Sequence, residues 1–417
     1  MFKFIHAADI HLDSPLKGLD RYEGAPVDEI RNATRRAFEG LIQLAIDERV
    51  QFVIIAGDVY DGDWRDYNTG LFFVKQAARL READIPLFLI AGNHDAANRM
   101  TRSLKLTENV TRLSHESPET VTLDHLGVAL HGQSFAEAAT FDDLSQLYPA
   151  ATRGMFNIGV LHTSATGYEG HDAYAPCTVD GLCSKGYDYW ALGHVHNRER
   201  LCEEPPVEFC GNLQGRHIRE TGAKGCLLVQ VENDLSAHTQ FRPLDVLRWE
   251  RATVDVTGAR GGDEILSRVA TRLRDDRRAA EGRPLAVRIE LHGACPAQPK
   301  IVAERNRWTN EIRSQALADS DGAVWIEKVK FRLEDPSESH KLQETTDGPV
   351  GELLALFGEL REDPARLHDL GVDFSDVVRK LPAEAQGCLP SEDPDWLREV
   401  LSEAKPRLLN QLLGKSC

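Results

Sequence analysis

Residues 51–61 read Gln-Phe-Val-Ile-Ile-Ala-Gly-Asp-Val-Tyr-Asp. The run Phe52–Ala56 is wholly apolar and rich in β-branched and aromatic types, so it reads as a buried strand. It stops at Gly57, and the first polar group after it is a carboxylate, Asp58. The same arrangement recurs outward along the chain. Phe2–Ala7 is followed by Asp9-Ile10-His11, and Pro86–Ala91 by Gly92-Asn93-His94-Asp95. Farther on, Phe156–His162 ends in its own histidine, and Tyr187–Leu192 runs into Gly193-His194-Val195-His196. Each group offers carboxylate, imidazole or amide donors where an open α/β sheet binds its ligands. Singly, each is an ordinary turn or cap. Five in order, all at strand ends, point to metal.

Around these strands lie helices. Phe38, Leu41, Ile42 and Ala45 fall at helical spacing within 28–49, and 70–83 reads as a second helix. Further strands are expected at Val128–His131, Val207–Cys210 and Gly225–Val231, which makes a mixed α/β sandwich with helices outside. The pattern restarts near Arg242–Arg251. Strands at Thr253–Val256, Leu285–Leu291 and Val324–Leu333 around a helix at Asp263–Arg274 read as a small α+β unit. Helical periodicity returns at Val350–Leu360, Ala365–Leu370 and Asp395–Leu413. The expected division is therefore 1–245, 250–335 and 345–417.

Composition narrows the function classes. Of 417 residues, 41% are hydrophobic and 28% charged, as in an ordinary globular protein. No uncharged apolar run approaches the roughly 18 residues of a membrane span. Met1–Asp9 lacks the apolar core of a signal peptide, and the eight cysteines form no Cys-x-x-Cys pair. A reducing cytoplasm is the expected location, with no membrane partner. The net charge of −17 sets solubility rather than fold. Only 248–335 is not acidic, with 17 basic against 15 acidic side chains.

The five groups, D-x-H, G-D, G-N-H-D, an apolar stretch ending in His, and G-H-x-H, resemble the motifs of the calcineurin-like metallophosphoesterase superfamily. The runs A-A-D-I-H-L-D-S-P-L, G-D-V-Y-D and A-L-G-H-V-H are similar to SbcD-like DNA repair exonucleases, in their YhaO subgroup. Protein phosphatases of the superfamily carry G-D-x-x-D-R-G, whereas Gly57–Asp63 has no Arg. The motif likeness covers residues 1–245; beyond that it is one of layout.

The resemblance implies a two-sheet αββα metallophosphoesterase sandwich, a smaller α+β cap domain that selects substrate, and a C-terminal helical segment that binds a partner. It implies Asp9, His11, Asp58 and His196 as ligands of one divalent ion, and Asp58, Asn93, His162 and His194 as ligands of the other. Mn(II) is the expected metal, with Fe or Zn as alternatives. A hydroxide bridging the two ions would attack phosphorus in line. His94 would face the phosphate as catalytic residue and Asp95 would orient its other nitrogen; the other reading of Asp95 is a local turn cap. The implied activity is a DNA exonuclease or endonuclease of DNA repair, with DNA and an SbcC-like coiled-coil ATPase as partners and a homodimer left open. A phosphodiesterase or phosphatase for small nucleotides is the alternative, and a non-catalytic scaffold a third reading.

Several residues keep two readings at this point. Gly211–Gly222 either brings Arg216, His217 or Arg219 to a scissile phosphate or is a solvated loop. Asp13 and Asp61 are partners of metal ligands or surface-loop acids. Arg268, Arg272, Arg274, Arg277 and Arg278, at helical spacing, contact DNA phosphates or form a solvated face. His115, His125, His131 and His171 show no partner spacing and read as surface or core residues.

Overall fold

In the computed structural model of the chain, the residues described are 1–14, 16, 32–61, 67–97, 104–165, 174–334 and 349–363, with scattered positions from 365 to 408. His171, residues 28–31 and 62–63, and much of 395–413 lie outside them. The chain divides into two compact units. The first comprises 1–256, 261–292 and 301–332, and the second 257–260, 293–300 and 333–417.

The first unit carries two six-stranded sheets and most of a three-stranded one. In the first sheet β1 (Phe2–Ala7), β2 (Phe52–Ala56), β3 (Leu87–Ile90) and β4 (Val110–Arg112) run parallel. Beside β1, β11 (Gly225–Val231) and β12 (Ala237–Pro243) continue the sheet antiparallel. The second sheet has the order β5 (Glu119–Leu123), β6 (Val128–Gly132), β7 (Phe156–His162), β8 (Tyr189–Gly193), β10 (Val207–Phe209), β9 (Glu199–Cys202). Its central strands, β6, β7, β8 and β10, are parallel.

The alternation within β2 shows why the sheets stack. Phe52, Ile54 and Ala56 join Phe4, Phe156, Ile158, Tyr189 and Ala191 in the core between the sheets. Val53 and Ile55 face the other way, into a core shared with α1 (Ala33–Asp47) and α2 (Asn68–Glu82). Phe4 stacks on Phe52 at 4.9 Å, and Phe38 of α1 on Phe73 of α2 at 5.7 Å. Burying one such ring contributes about 1.5–3 kcal/mol. A third core, around Trp190, Tyr148 and Leu161, covers the far face of the second sheet. His6, buried between the sheets, bonds Tyr189 Oη at 3.0 Å and Leu192 O at 3.1 Å, tying β1 to β8.

The third sheet holds β13 (Arg248–Asp255), β14 (Leu285–Ala294) and β15 (Val324–Glu334). The parallel pair β13–β14 is bridged by the helix Gly262–Ala279, which buries Ile265, Val269 and Leu273. A second helix, Arg305–Asp319, buries only Ile312 and Ala316. That sparse apolar stripe explains why the sequence shows no periodicity there. The second unit contains the helix Pro349–Glu362. Among the described residues six cysteines are free, and no helix is long and apolar enough to cross a membrane.

Candidate metal centre

Parallel strands bring their C-terminal ends to one edge. Asp9 follows β1, Asp58 follows β2, Asn93 and His94 open a five-residue helix (Asn93–Ala97) after β3, and His162 and His194 close β7 and follow β8. The register places His162 opposite Gly193, so the last two groups share a level. Asp9, His11, Asp58 and His162 are almost completely buried.

The loops reach this arrangement through left-handed backbone. Asp9 (φ 51°), His11 (46°), Asp58 (52°) and His194 (101°) all have positive φ. L-residues with side chains rarely adopt it, and when they do it clusters at functional sites. Main-chain bonds hold it: Asp9 N–H donates to Gly57 O and His11 N–H to Asp58 O, both at 3.0 Å. Two glycines leave the necessary room. A Cβ on Gly92 would lie 2.3 Å from Asp58 Oδ1, and one on Gly193 2.0 Å from Ala56 O.

Three groups, Asp9–His11–His196, His11–Asp58–His94 and Asp9–Asp58–His162, each keep one donor atom per residue within 4.8 Å of the others. Among the described residues His194 joins none of these groups. Its N–H donates to Asp9 Oδ2 at 3.0 Å, and its ring packs edge-on against His162 at 5.2 Å. Asn93 Oδ1 lies 3.0 Å from His162 Nε2.

The donor chemistry fits divalent cations. His11 Nε2 and His196 Nε2 face each other at 3.2 Å, although one of two neutral imidazole nitrogens so placed must give up its lone pair to a proton. His11 Nδ1 makes no hydrogen bond among the described residues, and the carboxylate nearest to it in ion-pair range is Asp61 Oδ1 at 3.7 Å. Two buried carboxylates stand amid these rings, where unpaired charge is costly. Oxygen and imidazole donors of this kind suit Mn, Fe or Zn.

Electrostatics follow from the same crowding. Burial pushes the Asp58 carboxyl up, but His162, His11 and His94 outweigh it and hold it well below the usual range. Burial pushes His162 down; Asp58 overrides it and raises the ring to about 9. His11, buried and near Arg216, is lowered to about 4.

The expectation for Asp95 needs correction. Its carboxylate accepts the backbone N–H groups of Tyr60 (2.9 Å), Val59 (3.1 Å) and Gly92 (3.2 Å), so it fastens the loops after β2 and β3 together. Burial, and then Asp58, raise it to about 7. The residue that orients His94 is Asp61, whose Oδ1 lies 3.1 Å from His94 Nδ1 and raises its pKa. Asp13 is bound instead by Arg35, both contacts at 2.6 Å, and by Thr69, so it anchors α1 and α2.

Gly211–Gly222 is no solvated loop. Asn212, Leu213, Gln214 and Glu220 are buried, and Gln214 and Gly215 bond Val246, Leu247 and the Trp249 indole. It carries a residue the motif reading missed. Glu220 Oε1 lies 2.7 Å from His196 Nδ1, and its other oxygen accepts from Arg216 N–H at 2.6 Å and from Asn212. Such carboxylate–imidazole pairs fix the tautomer of a ligating ring. Arg216, largely buried, spans Glu220 (3.2 Å) and Asp61 (3.7 Å). Lys224 Nζ donates to His196 O at 2.7 Å. The signal for Glu220 was a lone acid in a Gly-rich stretch, and its partner stands 24 residues away.

His131 bonds Thr120 and Asn157 as a buried core histidine. Among the described arginines on the face of helix 262–279, Arg268 pairs with Glu264, Arg272 with Asp276 and Arg278 with Asp275, while Arg277 donates to Asp319 O.

The sequence compares with known proteins as follows. The calcineurin-like phosphoesterase profile matches residues 2–198, and the profile of the middle domain of metallophosphoesterase YhaO matches 249–334. The uncharacterized metallophosphoesterase YhaO of Bacillus subtilis is 36% identical over 386 residues, covering 91% of this chain and 89% of its own. The DNA double-strand break repair protein Mre11 of Saccharolobus solfataricus is 26% identical over 248 residues, covering 56% of this chain and 62% of its own. That of Methanopyrus kandleri is 24% identical, covering 77% and 72%. A dimetal phosphatase from Danio rerio superposes with a TM-score of 0.35 and 11% identity over 58% of this chain and 99% of its own.

Proposed function

The chain belongs to the calcineurin-like metallophosphoesterases, in their YhaO-like branch, and on that premise we propose that it is a dinuclear-metal-dependent phosphodiesterase acting on DNA as a nuclease. The observation that carries the chemistry is the convergence of Asp9, His11, Asp58, His94, His162 and His196 within three overlapping donor groups. The Mre11 relatives support DNA as substrate.

In this reading Asp9, His11, Asp58 and His196 hold one ion and Asp58, Asn93, His162 and His194 the other, with Asp58 shared. Bound there, the ions supply Lewis acidity to the phosphate oxygens and a nucleophile at neutral pH. The rest is done by side chains. His162 donates Nδ1–H to Ala56 O at 2.9 Å, so Nε2 is the nitrogen it turns to the centre. His94, 38% exposed, reaches the substrate side while Asp61 holds its Nδ1, so that it presents Nε2. The hydrogen bond from Asp61 raises its pKa and so favours the protonated ring, the form able to neutralise phosphate charge and to pass a proton to the leaving oxygen.

The reading further takes 1–245 as the phosphoesterase domain, 250–335 as a substrate-selecting cap and 345–417 as the docking region for an SbcC-like ATPase. Paired arginines on the cap helix leave Arg274 as its main candidate for phosphate contact.

The test compares Mn(II)-loaded protein on bis-p-nitrophenyl phosphate, p-nitrophenyl phosphate and end-labelled duplex DNA. Cleavage of the diester and of DNA is expected. Hydrolysis of the diester with intact DNA would move the substrate to small nucleotides. Inertness towards all three would leave a scaffold.

A further inference from the structure

We propose that Phe141 and Tyr174 form a platform on which a nucleobase stacks beside the metal centre. The inference rests on the phosphodiesterase reading above and names what its substrate carries: an aromatic base next to the phosphate.

The observation is a short aromatic path from solvent to the centre. Tyr174 packs edge-on against His194, ring centroids 5.6 Å apart. Phe141 stacks on Tyr174 at 6.3 Å with the rings 29° apart. Phe141 is 69% exposed. A single exposed apolar side chain is unremarkable, and Leu147, at 67%, is one. Phe141 differs in its neighbours: a half-buried tyrosine, and behind it a histidine of the centre.

Both rings stand on fastened backbone. Ala175 N–H donates to Thr140 O at 2.6 Å, joining the two loops next to the aromatic residues. Tyr174 O accepts from Ser164 N–H at 2.9 Å and Ala175 O from the Thr163 hydroxyl at 2.7 Å, two bonds to the residues that follow His162. On the other side Asp143 caps the turn Leu144–Leu147, and Leu144 is buried. Every base has a π face, so stacking selects for a nucleotide without selecting its sequence. A methyl or sugar phosphate gains nothing there.

Binding is read without catalysis, by the fluorescence of 2-aminopurine deoxyriboside 5′-monophosphate, which stacking quenches, with deoxyribose 5-phosphate as competitor. Quenching is expected in the parent and in Tyr174→Phe. In Phe141→Ala the quench is lost and affinity for the nucleotide falls about 10-fold relative to deoxyribose 5-phosphate. Tyr174→Ala gives the same result, and Phe141, being at the surface, keeps the test valid if Tyr174→Ala fails to fold. A parent that binds both ligands equally, or a Phe141→Ala protein that keeps the preference, overturns the platform. Hydrolysis of methyl p-nitrophenyl phosphate by the parent is followed alongside. Hydrolysis without quenching sinks the platform alone; quenching without hydrolysis sustains it and sinks the phosphodiesterase reading.

Discussion

Two regions of the first unit are dense in charge, and they handle it in opposite ways. At the edge where β1, β2, β3, β7 and β8 end, carboxylates and imidazoles are buried against one another on left-handed backbone. On the face of helix 262–279, arginines meet acids three or four residues away, in partly exposed pairs such as Arg268–Glu264 at 2.6 Å and Arg272–Asp276 at 2.8 Å. The helix satisfies its charges locally and without strain. The strand ends hold theirs far from local partners, in a conformation only the surrounding fold maintains. Charge that a fold must force together marks chemistry; charge that pairs along one helix marks a solvated surface.

The sharpest way to break this contrast is Asp58→Asn. Asp58 sits in two of the three donor groups, and His94 N–H donates to its Oδ1 at 3.0 Å. Bound metal, measured by emission spectroscopy, is expected to fall sharply, and turnover by about 1000-fold or more. A variant with two metals and full turnover would remove the shared-carboxylate assignment.

His94→Gln comes next, with a loss of about 100-fold in turnover at near-normal metal content. Since His94 also stands in a group with His11 and Asp58, metal content decides its role: a collapse would make it a ligand. Asp61→Asn refines the point. Asp61 raises the His94 pKa, and in the role proposed for His94 the protonated ring is the active form, so activity is expected to be lost as pH rises through that pKa. Without the carboxylate the pKa falls, and the alkaline limb of the pH–rate profile is expected to move to lower pH. An unmoved limb would show that another group sets it.

How much of this could be read in advance depends on distance along the chain. The strands β1, β2, β3, β7 and β8 are buried runs bounded by motif residues, and their ends carry the candidate ligands. The edge strands Val110–Arg112, Glu119–Leu123 and Glu199–Cys202 were not legible, because they are short and half polar. Asp61 and Asp95 were visible as acids, but their partners were not. Asp95 takes up backbone N–H groups 35 and 36 residues away, a choice fixed only when β2 and β3 align.

Glu220→Gln tests the next ring outward. Its oxygen holds His196 Nδ1 at 2.7 Å, and the neighbouring histidine and Arg216 outweigh the upward push of burial to keep it well below the usual carboxylate pKa. An amide of the same shape weakens the orientation of the imidazole without emptying the space. Metal affinity by competitive titration is expected to fall about 10- to 100-fold, with near-parent turnover restored at saturating metal. Unchanged affinity would make Glu220 a mere loop anchor.

The smallest effects belong to the other side of the comparison, and there the prediction separates arginines from one another. Arg268 and Arg272 already spend their guanidinium donors on Glu264, Asp276 and main-chain oxygens of Asp255 and Thr253. A DNA phosphate would have to displace those partners, so little net binding is gained. Replacing either by Ala is expected to change DNA affinity less than about 2-fold and stability by under about 1 kcal/mol, as for other exposed pairs. Arg274 lines a cleft with Ser267, Glu311 and Gln315 between the helices Gly262–Ala279 and Arg305–Asp319. Its loss is expected to weaken DNA binding more than either neighbour's and to lower the salt slope by about one. A slope that fell equally for Arg268, Arg272 and Arg274 would mean that the helix face acts as a whole. In that case local pairing would no longer separate a solvated surface from a functional one.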